Sequence, residues 1–182
     1  MPGLTTDRFI EMLGRSGLVE KDQLHRILHS LKEDSAAGGN LESRAIADRL
    51  IQEGFITAWQ AARILEGKYK RFFLGKYKLL DHLGSGGMSS VYLAEHVLMR
   101  RRVAVKVLPQ KKVDVSSYLA RFHREARAVA SLDHRNIVRA YDIDNDGNVH
   151  YLVMEYVEGK NFLETVTAEG PLPFEKAADY IR

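Results

Sequence analysis

The chain has 182 residues, which allows one full domain or two small ones. Its 45% apolar and 28% charged residues exclude wholesale disorder, and four Pro with 14 Gly exclude collagen-like or low-complexity architecture. A net charge of +3 is too small to argue for nucleic acid, and zero Cys excludes a disulfide framework or a thiolate metal site.

An internal repeat comes first. Leu13, Gly17, Leu18, Val19, Gln23, Ile27 and Leu28 recur at matching offsets as Leu50, Gly54, Phe55, Ile56, Gln60, Ile64 and Leu65. Each unit reads as helix, Gly break, helix. Gly17 and Gly54 suit the left-handed residue that ends a helix, and Thr57 with Gln60 three positions on reads as a capping box. Leu24, Ile27, Leu28 and Leu31 follow helical spacing. Residues 4–66 are therefore expected to form a four-helix unit with 35–40 as the loop between its halves. Residues 1–66 are expected to be an all-α interaction or regulatory domain.

Gly67 to Lys78 carries five basic residues and no acid, interleaved with Tyr69, Phe72, Phe73 and Tyr77. The run is short, so residues 67–76 read as a basic linker into a strand, with aromatics free to pack inward, in preference to an anionic-membrane patch. From Tyr77 the period changes to short β-rich runs: Tyr77–Leu83, Ser89–His96, Arg102–Leu108, Val138–Ile143 and Val149–Tyr156. One helical stretch, Ser116–Leu132, interrupts them, which predicts an α+β domain with a five-stranded antiparallel sheet. The tail from Asn161 reads helical around Pro171 and Pro173.

Three features carry chemistry. Gly84-Ser85-Gly86-Gly87-Met88-Ser89-Ser90-Val91 lies between two predicted strands, and its glycines let backbone N–H groups approach phosphate oxygens. A strand rather than a helix follows it, and no Lys-Ser/Thr pair does, so it is neither a Rossmann fingerprint nor a P-loop. Lys106 sits inside the apolar strand Val103–Leu108, where a lysine needs a partner. Glu125 lies beside the stripe Leu119, Phe122, Ala126 and Val129 of the predicted helix; by itself it would read as a surface partner of Arg121.

Together these residues resemble the eukaryotic-type serine/threonine protein kinases in the form bacteria carry. Leu83 to Val91 is similar to the glycine-rich loop, Val103-Ala104-Val105-Lys106 to the third-strand lysine motif, and Glu125 to the helix-C glutamate. Leu132–Val138 is similar to the turn after that helix, and Val153–Gly159 to the hinge, with Met154 at the gatekeeper position. Ser89 stands where the third glycine usually is. The resemblance implies a kinase small lobe and hinge over 77–158 and the start of a large lobe over 159–182. It implies ATP as cofactor, held by Leu83, Gly84, Ser85, Gly86, Gly87, Met88, Ser89, Val91, Ala104, Lys106, Met154, Glu155 and Val157. Lys106 and Glu125 take the catalytic roles, with protein Ser/Thr hydroxyls as substrates. The alternative is a pseudokinase-type docking module.

No His-Arg-Asp catalytic loop and no Asp-Phe-Gly occur. His134-Arg135-Asn136 imitates the former, but it comes far too early, Asn stands for the base and Tyr141 for the metal-binding Asn. The Mg2+ ligands are therefore expected beyond residue 182, no metal site is expected within the chain, and the chain alone is expected to be inactive. Asp142-x-Asp144-x-Asp146-Gly147 matches the opening of a calcium loop, but position twelve is Val153 and strands flank it, so Asn145–Asn148 reads as a hairpin turn. No apolar run reaches the ~18 residues of a membrane span. With the absent cysteines, a cytoplasmic location is expected. Self-association of the fragment is also expected, as a two-fold dimer through the sheet's inner side, Val153–Val157 and the stripe Phe174, Ala177, Ala178 and Ile181.

Overall fold

The computed structural model describes residues 4–34, 42–87, 89–108 and 116–181. The expected loop at 35–40 and the proposed loop residue Met88 lie outside them.

Four helices come first: α1 (Thr6–Ser16), α2 (Lys21–Asp34), α3 (Ser43–Gln52) and α4 (Ala58–Leu65). Gly17 and Gly54 take φ of 72° and 75°, the left-handed turn that separates each pair. The sequence repeat is a core repeat. Leu13 and Leu50, Val19 and Ile56, and Ile27 and Ile64 are all buried together with Phe9 and Ile46. The repeat also preserves a cap: Gln23 accepts the Glu20 N–H at 3.3 Å as Gln60 accepts the Thr57 N–H at 2.9 Å.

The basic segment enters both cores. Phe72 is buried among the helices and Leu74 among the strands. Phe73–Leu74 forms a two-residue strand, β1, ahead of the five expected. These are β2 (Tyr77–Ser85), β3 (Ser90–His96), β4 (Arg102–Leu108), β5 (Ala140–Asp146) and β6 (Val149–Glu155). The sheet is antiparallel with order β1-β2-β3-β4-β6-β5. The β5–β6 turn is tighter than expected, because Asp146 already pairs with Val149 and Gly147 supplies a φ of 57°.

The three aspartates of β5 meet partners within the protein. The Gly75 N–H donates to the Asp146 carboxylate at 3.0 Å, Lys76 pairs with Asp142 at 3.6 Å, and the Tyr151 hydroxyl donates to Asp144 at 3.4 Å. The first two contacts tie the turn after β1 to the strand at the opposite edge, and the third joins β6 to β5. Among the described residues no group of three His, Asp or Glu is placed to hold a metal ion.

The sheet has two covered faces. Its outer face buries Tyr77, Leu79, Val103, Val105, Tyr151 and Val153, and Trp59 of α4 packs against it. A register shift between Leu79 and Asp81 marks a bulge in β2 at Leu80. There the Thr57 hydroxyl donates to the Leu80 carbonyl and the Gln60 amide to the Leu79 carbonyl, both at 2.5 Å. On the inner face, helix α5 (Ser116–Ala130) sets Phe122 and Ala126 against Leu108 and Leu152. The tail forms α6 (Phe162–Glu169), capped by Asn161 and Glu164, and α7 (Phe174–Ile181); neither buries a residue.

Candidate active site

Strand register decides which residues share the inner face. Opposed residues of an antiparallel pair point to the same side. Val91 opposes Lys106, Leu93 opposes Ala104, Ala104 opposes Met154 and Lys106 opposes Leu152. Val91, Ala104, Lys106 and Met154 therefore stand in one patch, as the sequence reading requires. Leu93 and Leu152 join it without having been singled out. Alternation from Lys106 finds such neighbours only once the strand register is known.

Lys106 has found a partner. Its ammonium donates to Glu125 Oε2 at 2.9 Å across the gap between β4 and α5. The helix is held in range by Phe122, one turn before the glutamate, and Ala126, the residue after it. Glu125 thus takes the strand lysine.

The glycine-rich turn closes on itself where the Gly86 N–H donates to the Ser89 carbonyl at 2.8 Å, and Ser89 is buried. A Cβ added at Gly84 or Gly87 would meet nothing within 4 Å, and one at Gly86 only that carbonyl, at 3.9 Å. No described neighbour demands glycine there. Ser85 belongs to the other face, since it opposes Ser90. Its hydroxyl joins His82 Nε2 at 2.9 Å and the Ser90 hydroxyl at 3.0 Å. Leu83, in a second irregularity of β2, is exposed.

At the far end of β6 the Glu155 N–H is committed to the Arg139 carbonyl at 2.8 Å, and Val157 is exposed. His134-Arg135-Asn136 forms an exposed turn in which the Asn136 N–H donates to His134 Nδ1 at 3.2 Å. It lies in the connection after α5 and adds nothing to the Lys106 patch.

A glycine-rich β-turn-β, a strand lysine paired to a helix glutamate, and an apolar patch beside them form one constellation on one face. The model described as the protein kinase domain matches residues 77–182, more than half the chain. The chain belongs to the protein kinase family. Its relatives include the serine/threonine-protein kinase PrkC of Bacillus subtilis, 46% identical over 98 residues, which cover 54% of this chain and 15% of that protein. PknB of Mycobacterium leprae is 41% identical over 110 residues, covering 58% of this chain and 18% of that protein. A crystal structure of a double mutant of the Mycobacterium tuberculosis PknI kinase domain superposes with a TM-score of 0.50 at 26% identity, over 59% of this chain and 43% of that one. The chain thus spans less than a fifth of these curated relatives. The α+β small-lobe fold expected from the sequence is the fold observed, with one short strand added. No helix among the described residues is long and apolar enough to cross a membrane.

Proposed function

We propose that this chain is the ATP-binding half of a serine/threonine protein kinase whose whole protein transfers the γ-phosphoryl group of ATP to protein Ser/Thr hydroxyls. The single observation that carries the proposal is the 2.9 Å Lys106–Glu125 pair on the face shared by Val91, Ala104 and Met154. ATP supplies the phosphoryl group and, with Mg2+, the charge that the site must neutralise. Glu125 fixes the Lys106 ammonium so that a phosphate oxygen meets an oriented cation rather than a mobile one. The glycine-rich turn after β2 supplies the complementary backbone donors, with Leu83 at its entrance. Val91, Ala104 and Met154 offer apolar walls to the base, and the backbone of Glu155 and Val157 offers its polar contacts.

The described residues do not fit Mg2+ by themselves: no carboxylate cluster faces Lys106. Neither a His-Arg-Asp base nor an Asp-Phe-Gly metal ligand occurs in this stretch. The chain alone is accordingly inactive, and its exposed tail helices favour self-association. In the whole protein, Lys106→Met is expected to abolish phosphorylation of a protein substrate nearly completely while leaving the melting temperature close to that of the parent. Near-normal turnover by that variant would remove the reading.

A further inference from the structure

A cavity of about 450 Å3 opens on the outer face of the sheet, opposite the Lys106 patch, between α4, the basic segment and strands β2 to β4. That volume lies in the range of small-molecule sites. Its body is apolar, made by Trp59, Leu74, Leu79, Tyr92, Val107 and Val149. Trp59 stands edge-on to Phe72 at 5.8 Å and tilted to Tyr92 at 5.7 Å, so ring contacts on two sides brace this wall. Water inside would find few hydrogen-bond partners.

The rim is basic. Arg63, Lys70 and Arg71 line it, and among the described residues no carboxylate does. Glu66 takes one Arg63 nitrogen at 3.3 Å from outside the cavity. Lys70 has no carboxylate partner among the described residues and lies 5.7 Å from the Tyr69 ring. An apolar body with cations converging on its mouth complements a molecule with a hydrocarbon portion and one anionic end. A nucleic acid would need cations spread along a strip, and a membrane surface a flat or convex face; this one is concave. Lys70 and Arg71 belong to the basic segment 67–76, a feature the nucleotide reading leaves unused.

We propose that this cavity binds a small amphipathic carboxylate, with its hydrocarbon against Trp59, Tyr92 and Val107 and its carboxylate at the mouth beside Lys70, Arg63 and Arg71. Such a ligand bridges the helical unit and the outer face of the sheet, so it stabilises the docked arrangement by mass action.

Trp59 is the only tryptophan, so its fluorescence reports occupancy directly. The chain is titrated with bromodecanoate below its micelle concentration, and with plain decanoate in a thermal melt. Saturable quenching and a raised melting temperature are expected. Decyltrimethylammonium, with the same body and opposite charge, is expected to bind at least about tenfold more weakly. Lys70→Glu, at an exposed position, is expected to weaken decanoate by about tenfold without changing the melt of the free chain. Val107→Phe, which fills the cavity, is expected to abolish saturation. Non-saturating quenching, equal affinity for the cation, or unchanged affinity in Lys70→Glu would overturn the proposal. So would quenching by brominated phosphatidylglycerol vesicles alone, which would assign the face to a membrane.

Discussion

Gly75 sits at φ 51°, and a Cβ added there would stand 2.8 Å from the hydroxyl oxygen of fully buried Tyr151. Backbone and packing both demand glycine, so Gly75→Ala is expected to cost about 1–3 kcal/mol, measured by urea unfolding. Tyr151 also sets a pH dependence. Burial, reinforced by the Asp144 carboxylate, pushes its phenol above the ordinary 10.0, and burial does the same to Tyr77. Unfolded, these phenols ionise near pH 10; folded, they hold their protons higher. Their contribution is fully present below pH 10 and is lost as pH rises through the folded values. Lys78 works the other way, because burial lowers its ammonium below 10.5 and its penalty is relieved as pH climbs toward that value. Tyr151→Phe isolates the phenol: urea midpoints measured over roughly pH 8 to 11 are expected to fall less steeply above pH 10 than in the parent.

At the scale of elements, the N-terminus of α4 does two jobs with one pair of side chains. Thr57 and Gln60 form a reciprocal capping box, and the same hydroxyl and amide donate to Leu80 and Leu79 in the β2 bulge. The box itself was legible, since its residue types and spacing are local. Its docking was not, because a bulge exists only relative to a paired strand. Gln60 is fully buried, so Gln60→Leu strips an N–H from the Leu79 carbonyl and a carbonyl from the Thr57 N–H. It is expected to cost about 1–3 kcal/mol, with hydrogen exchange rising first in β2 near Leu79 and Leu80. The Lys106–Glu125 pair was legible for a different reason: Glu125 by itself reads as a surface partner of Arg121, and only the glycine-rich loop and the strand lysine beside it carry the kinase resemblance that pairs the two.

At the scale of the molecule, both faces of the sheet are packed, by α4 and by α5, while the tail helices bury nothing. Leu163, Phe174 and Ile181 are 78%, 84% and 88% exposed, and the tail's ring contact joins Phe162 only to Tyr180, helix to helix. Short amphipathic helices need a surface to pack on. Light scattering at high micromolar concentration is expected to give a two-fold dimer, and Phe174→Asp combined with Ile181→Lys is expected to return it to monomer. A clean monomer from the unaltered chain would remove the expectation.

Sequence by itself determined the local grammar of this protein. The repeat of apolar positions set the helical core, the glycines at 17 and 54 set its breaks, and alternation set the strands and placed Lys106 inside one. Only the tertiary structure decided what covers each face. Periodicity fixes which side of an element is apolar but leaves its partner open, and the partner here depends on strand register and on the bulge beside Leu80. That is why the segment read as a linker turned out to place Phe72 in one core and Leu74 in the other. It is also why three aspartates at calcium-loop spacing meet partners in the sheet: Gly75 and Lys76 of the turn after β1 reach Asp146 and Asp142, and Tyr151 of β6 reaches Asp144.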